Sequence, residues 1–490
     1  MLRNKQLKAS LICLLVFSMT GSAFASGYSI TDIPPIHAEA AEVQETTYDA
    51  EDCFAGYAEQ VLYGIPERAF YGRSAGSRLT GAAGNLYQVL KPKLQAIPDA
   101  SGNQVATTFV LTEAEFSSLG AAAEITSRDL GLTSIYSPSG GISQETVNAA
   151  FRRFLSINGF SLTTDALMLD LPYDMFWYGH QVQYDATFGV HGESLFVTSL
   201  EVSFLVAANY RGSNEYSVNL SPMQAVEAAA SAARAIVEKY ADCTDYEKLA
   251  GYRDEICALT EYDFGAASGG NAAYDGDPWQ LIHVFDSDPS TNVVCEGYAK
   301  AFQYLCDLSG FAEGNDVVCY TVTGYMGSPE KDLETHMWNI VRMEDGNHYL
   351  ADITNSDSSA IGAGGELFLA GAEGSIEEGY TCPIEDTFVD YHYLPSQIAL
   401  WGDDDSSVLK LASGSYVPEI PVVPVLPGDA NGDGKITATD LTLLARHVAK
   451  IRFLSDSAAL ANADIDGDGS PDIDDVIRLA RYLAKITSLL

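Results

Sequence analysis

The sequence predicts an α+β protein in several parts: a mixed α/β N-terminal region, an α+β core, and a small all-α module at the C-terminus. Three observations carry this reading. A Pro-rich stretch over 412–427 divides residues 428–490 from everything before them. The divided segment holds one acidic twelve-residue pattern twice, each copy followed by helical periodicity. Upstream, a helix start near Cys295 precedes two alternating strands around the turn Glu344-Asp345-Gly346. At 490 residues the chain exceeds one ordinary core. Hydrophobic and charged fractions of 47 % and 19 % are those of a globular chain. The formal net charge of -40, from 67 acidic against 27 basic residues, excludes a general nucleic-acid-binding role, because the composition leaves no basic surface to neutralise phosphates.

In chain order, residues 1–25 read as a secretory signal. Arg3, Lys5 and Lys8 give a positive start, Leu11 to Phe17 a short apolar run, and Ala23-Phe24-Ala25 a small-x-small cleavage pattern. The run is too short to span a membrane, and no later stretch qualifies, so the expectation is a secreted, extracellular chain without a membrane anchor. Seven cysteines then remain: Cys53, Cys243, Cys257, Cys295, Cys306, Cys319 and Cys382. An odd number leaves at least one thiol unpaired.

Residues 26–219 form the mixed α/β region, whose role the sequence does not assign. Glu145 to Leu155 reads as a helix with Val147, Phe151 and Phe154 on one face. Gln181–Phe188 and Ser194–Ala207 read as strands joined by a turn over Gly189–Gly192. The core occupies 220–411, starting with an Ala-rich helix from Pro222 to about Tyr240 and a second helix over Tyr246–Leu259.

The chemistry-bearing residues follow. Val293-Val294-Cys295-Glu296-Gly297-Tyr298-Ala299 enters a helix, which puts Cys295 where the helix dipole favours a thiolate. Gly297 lets another backbone approach the sulfur closely. His336-Met337-Trp338-Asn339 begins an alternating strand, and Asn347 to Thr354 a second one. A three-residue loop with Gly346 left-handed pairs Met343 with Asn347 and so sets Asp352 opposite Trp338, diagonal to His336 on the same face. A two-residue loop would send Asp352 to the other face. These are the parts of a thiol nucleophile site: Cys295 attacks an acyl carbon, His336 holds and returns the proton, and Asp352 orients the ring. Singly, each could be a core residue; together, in this order and register, they point to catalysis.

The motifs Val294-Cys295-Glu296-Gly297-Tyr298-Ala299, His336-Met337-Trp338-Asn339 and Asp352-Ile353-Thr354 resemble the transglutaminase-like superfamily. The resemblance covers about Leu220 to Leu400 and implies a papain-like fold with Cys295, His336 and Asp352 as the catalytic set. Val293 stands where the family usually has Gly, and Ile353 where it usually has Pro. A peptidase or amidase, or a protein-glutamine acyltransferase, is implied, acting on a protein or peptide; bacterial members more often look hydrolytic. A non-catalytic binding module that keeps the fold but lost its substrate is the rival expectation. So is a polysaccharide-degrading enzyme, for which Asp403-Asp404-Asp405 would be the carboxylates.

The linker's Val417-Pro418-Glu419-Ile420-Pro421 run lacks backbone donors at its prolines and favours an extended spacer. After it, the two copies stand 35 residues apart. Asp429, Asn431, Asp433, Lys435, Thr437 and Asp440 in the first, and Asp464, Asp466, Asp468, Ser470, Asp472 and Asp475 in the second, occupy positions 1, 3, 5, 7, 9 and 12 of a calcium loop. Lys435 and Ser470 would ligate through their carbonyls, and Gly434 and Gly469 make the sharp turn at position 6. Leu441, Leu444 and Val448, and Val476, Leu479 and Leu483, give each following helix one apolar face. Neither buries alone, so two structural Ca²⁺ ions should be part of folding. The duplicated loop and exit helix after a Pro-rich linker resembles a type I dockerin of cellulosome-type assemblies. The resemblance implies a scaffoldin cohesin as partner, contacted through Ala438, Thr439, Arg446 and Lys450 in one repeat and Ile473, Asp474, Arg481 and Lys485 in the other. Pro471 departs from the β-branched residue usual at its position, and the unlike pairs Ala438-Thr439 and Ile473-Asp474 favour one repeat over two interchangeable ones.

Overall fold

Alternation of apolar and polar residues over 178–206 builds the longest hairpin of the protein, seen in a computed structural model that describes residues 7–14 and 74–488. Short internal segments are excepted, of which 268–279, 374–378, 403–406 and 419–425 are the longest. Strand β1 (Tyr178–His191) buries Val182, Tyr184, Ala186 and Phe188 and turns the residues between them outward, the period of two that one buried sheet face requires. Its partner β2 (Ser194–Val206) pairs from Tyr178↔Val206 to His191↔Ser194. The turn is therefore Gly192-Glu193, not Gly189–Gly192. Gly189 and Val190 continue the ladder, and Gly192 at φ 61° takes the positive φ that a tight two-residue turn needs. Residues Leu7–Leu14 pair antiparallel with β1, from Leu7↔Phe188 to Leu14↔Gln181. The leader expected from the sequence contains that strand; the expected cleavage point after Ala25 lies outside the described residues.

Three helices cover this sheet region: α1 (Gly81–Gln95), α2 (Gln144–Ile157) and α3 (Phe160–Asp170). Ser143 caps α2 by accepting from the Thr146 N–H, and Val147, Phe151 and Phe154 are buried, the face the periodicity indicated. At the end of α3, the buried Asp170 carboxylate accepts from Ser74 Oγ, Tyr87 Oη and the backbone N–H groups of Ala75 and Gly76. One acidic side chain thus ties α1 and the preceding turn to α3.

Helices α4 (Met223–Lys239), α5 (Asp245–Leu259) and α6 (Cys295–Leu308) precede an antiparallel six-stranded sheet. Its strands are β3 (Val318–Ser328), β4 (Lys331–Arg342), β5 (His348–Ala351), β6 (Phe368–Ala370), β7 (Tyr380–Ile384) and β8 (Thr387–Tyr393), in the order β6-β5-β4-β3-β8-β7. Helix α7 (Pro395–Trp401) follows. Asn339 on β4 donates to the Ala299 carbonyl of α6 at 3.1 Å and to Thr321 Oγ1 of β3 at 3.0 Å, locking helix to sheet. Residue 220 marks no break in packing: one hydrophobic core includes Tyr178 and Phe204 as well as Phe302, Trp338 and Tyr391. Polar ties cross it too, Gln303 donating to the Leu169 carbonyl and Gln280 to that of Tyr178.

The chain divides into two compact units, Met1–Tyr416 and Val417–Leu490. The second has its own small core of Ala430, Leu444, Ala463, Ile465 and Leu479. It is framed by α8 (Ala438–Val448), α9 (Ser457–Ala463) and α10 (Ile473–Leu483), and the sequence had not signalled α9. The fold as a whole is mixed α/β, with twelve α-helices and several sheets among the described residues. No helix among them is long and apolar enough to cross a membrane.

Candidate active site

The β4–β5 hairpin sets the site. Its loop is Glu344-Asp345-Gly346, with Gly346 at φ 80°; the Gly346 N–H donates to the Met343 carbonyl and the Met343 N–H to that of Asn347. Arg342↔His348, Val341↔Tyr349, Ile340↔Leu350 and Asn339↔Ala351 pair. This is the register derived from the turn, and continuing it brings Asp352 opposite Trp338. The second strand is shorter than expected: it ends at Ala351, and the chain curls into a 3-10 turn over Thr354–Ser356. That curl folds Asn355 back on the Asp352 carboxylate, which accepts from Asn355 Nδ2 at 2.7 Å and from its backbone N–H at 3.1 Å.

His336 Nε2 lies 2.8 Å from Asp352 Oδ2. A fourth group, Tyr391 Oη of β8, donates to the same oxygen at 2.7 Å. Asp352 is fully buried, so its charge survives only because these donors answer it. Burial raises its pKa, but the His336 ring and the Asn355 and Tyr391 donors outweigh that and hold it below the usual carboxylate range. Burial likewise depresses His336, yet the Asp352 carboxylate and the Cys295 sulfur prevail and lift the ring to about 10. The ring also stacks on Trp338, centroids 5.9 Å apart.

Cys295 is the first residue of α6, after the extended Val294, and its sulfur is one of the groups that act on the His336 ring. With Nε2 on Asp352, Nδ1 is the nitrogen left for the sulfur. Cys295 is 2 % exposed and His336 7 %. The side chains of six cysteines are described, and no disulfide joins them; Cys53 lies outside the described residues. The carboxylate run Asp403-Asp404-Asp405 lies outside them as well.

Next to the sulfur, Glu296 turns inward. Its Oε1 lies 2.6 Å from Lys300 Nζ, one helical turn on, and 2.8 Å from His180 Nε2 of β1. Burial opposes this carboxylate, but His180 and Lys300 outweigh it and hold its pKa at about 2. His180 adopts φ 59°, a conformation costly for a side-chain-bearing residue. The N-terminal region thus supports the helix that begins at Cys295 directly. Tyr391 and His180 were not readable as site residues, since both lie far in sequence from Cys295, His336 and Asp352; Asn355 is three residues past Asp352, where the expected continuous strand would have carried it away. The only available signal was the abundance of tyrosine, which points equally to core.

In the second unit the two loops repeat their hydrogen bonds at the same offsets. Gly434 N donates to Asp429 Oδ2 at 2.8 Å as Gly469 N does to Asp464 Oδ2 at 2.8 Å. Asn431 N donates to Asp440 Oδ1, and Asp466 N to Asp475 Oδ1, both at 3.1 Å. Thr437 and Asp472 cap α8 and α10 in capping boxes with Asp440 and Asp475, whose side chains are fully buried. Asp464, Asp466 and Asp468 bring one oxygen each within 4.8 Å of one another, a donor set suited to a hard cation. Lys435, Ser470 and Asp472 stand at their expected loop positions, while Asp433 lies outside the described residues. Ala438, Thr439, Arg446, Lys450, Ile473, Asp474, Arg481 and Lys485 are all exposed. Lys450 and Lys485, at φ 56° and 59°, end their helices in the same left-handed turn.

Residues 427–484 match the family model of the Dockerin type I domain. No curated protein matches the chain. The C-terminal module is a type I dockerin domain, a calcium-binding domain that implies a cohesin partner and an extracellular, cellulosome-type assembly.

Proposed function

We propose that the chain is a secreted thiol enzyme acting on peptide or amide bonds through Cys295, His336 and Asp352, and carried to a scaffoldin cohesin by its dockerin with one Ca²⁺ in each loop. One observation carries the reading: the His336 ring is hydrogen-bonded to the fully buried Asp352 carboxylate, and the Cys295 sulfur, at a helix start, acts on the same ring. The motifs' likeness to the transglutaminase-like superfamily supports it. Residues 220–411 would then be the catalytic domain and 26–219 a flanking region that braces it.

In the proposed reaction the Cys295 sulfur attacks the acyl carbon while His336 holds the proton. The C–S bond forms, the C–N bond breaks, and His336 gives the proton to the departing amine. Water then attacks the thioester and passes a proton to the ring. The C–S bond breaks, the sulfur recovers that proton, and a carboxylic acid leaves. An amine in place of water would complete a transamidation through the same intermediate. Asp352 stays ionised throughout and keeps the ring's Nδ1 toward the sulfur. The positive end of α6 lies where the acyl oxygen would gain charge.

An iodoacetamide-type probe at neutral pH tests this. Cys295 should alkylate faster than the other thiols, and His336→Ala should slow it. Equal rates at all thiols, with no effect of His336→Ala, would sink the reading.

A further inference from the structure

A cavity of about 580 Å³ opens at the turn end of the β4–β5 hairpin, away from the thiol site. His336 and Arg342 are six residues apart on β4, roughly 20 Å along a strand. The charged side chains that line the cavity are Arg78, Arg342 and Lys410, with no carboxylate among the lining residues. That is unexpected in a chain whose acidic residues outnumber basic ones 67 to 27. The three cations come from separate parts of the first unit: the turn before α1, the end of β4, and the segment after α7. Their meeting is therefore a product of the fold and not of a local charge run.

The frame that holds them is ordered. Arg78 donates to the Trp401 carbonyl at 3.3 Å and lies over the Trp401 ring at 5.8 Å. Trp401 packs edge-on against Tyr320, whose ring lies 5.9 Å from His348. His348 pairs with Arg342 across the ladder, and its carbonyl accepts from the Ala412 N–H at 2.8 Å. Among the described residues, two of the nearby carboxylates have donors of their own and a third meets Arg342 from the solvent side. Asp345 accepts from Tyr349 Oη and from the Asn347 N–H and Nδ2. Glu344 accepts from Tyr416 Oη. Asp316 forms a long ion pair with Arg342 at 3.9 Å, but it is 75 % exposed, so solvent screens that pair. Burial, and then the charges of Arg342 and Arg78, push His348 down to about 4, so at neutral pH the ring is an uncharged donor or acceptor in a positive field. Asn347 and Ser407 add neutral polar groups to the lining.

We propose that this cavity is a binding site for a small dianion, a tetrahedral oxyanion or a dicarboxylate, held by Arg78, Arg342 and Lys410. Two guanidinium groups and an ammonium match two negative charges, and guanidinium forks suit either oxyanion geometry. The cavity's size is in the range of small-ligand pockets. The site is independent of the chemistry proposed at Cys295.

The test is isothermal titration of the full-length protein, in calcium at constant ionic strength, with sulfate and with succinate. Saturable binding of at least one, weakened about tenfold or more in Arg78→Gln/Arg342→Gln but not in the remote Arg153→Gln, is expected. Which probe binds tells oxyanion from dicarboxylate. Phenylglyoxal modification of the wild-type protein gives a second reading that needs no variant: the bound probe should protect Arg78 and Arg342 from modification. Absence of saturable binding by both probes, or binding and protection indifferent to these two arginines, overturns the proposal.

Discussion

The dockerin loops and the thiol site both depend on carboxylates, but they neutralise them in opposite ways. In the second loop Asp464, Asp466 and Asp468 gather like charges within a few ångströms over a core as small as Leu444, Ile465 and Leu479. Such an arrangement is answered by a cation drawn from solvent. At the thiol site, Asp352 is answered from within by His336, Asn355 and Tyr391, inside a core that includes Trp338 and Tyr380. One region is therefore arranged to be answered by a cation, the other by donors of its own chain. Each should fail under a perturbation that the other tolerates.

Chelation is the largest such test. Removing calcium should unfold residues 427–484 and abolish cohesin binding, while Cys295 keeps its alkylation rate; loss of helical signal by circular dichroism and a cohesin pull-down read the two arms. Unchanged helices and binding in chelator would contradict the account of the loops. Next in size is His336→Ala, which should slow Cys295 alkylation by roughly 10²–10⁴-fold, the usual worth of a positioned base, and leave cohesin binding unchanged. Tyr391→Phe is milder. Deleting one donor to a buried carboxylate should cost about 1.5–3 kcal/mol of stability in the first unit, read by chemical denaturation, with calcium affinity unaffected.

The smallest effect is on pH. His336 titrates at about 10 in the folded protein, against about 6.5 when unfolded. A raised folded value means the ring's contribution to stability is full below about pH 6.5 and is lost as pH rises through about 10. The stability difference between wild type and His336→Gln should shrink across that window. A constant difference would mean that the ring carries no such shift.

How far each region was legible follows from the same contrast. The expected ligand positions of each loop lie within a single twelve-residue window, so spacing alone proposes them, and the loop hydrogen bonds recur at identical offsets. The hairpin register was also legible, because Gly346 fixes the turn and arithmetic does the rest. What escaped was set by tertiary contact. Tyr391 reaches Asp352 only because β8 pairs with β3, and His180 reaches Glu296 only because the N-terminal hairpin packs on α6. The end of the second strand was misjudged because Asp352 and Asn355 form a turn that competes with the ladder. The division at residue 220 follows the extent of the motif resemblance, and a local pattern does not register a core shared across it.

The central claim is that Cys295 carries an acyl group in line with His336 and Asp352. Its most direct test is to mix the protein with an activated acyl ester, quench in acid, and read the mass of the Cys295 peptide. The account predicts the acyl mass on Cys295 in the wild type, none in Cys295→Ala, and little in His336→Ala. Acylation spread evenly over the other cysteines, or equal in wild type and His336→Ala, would contradict it.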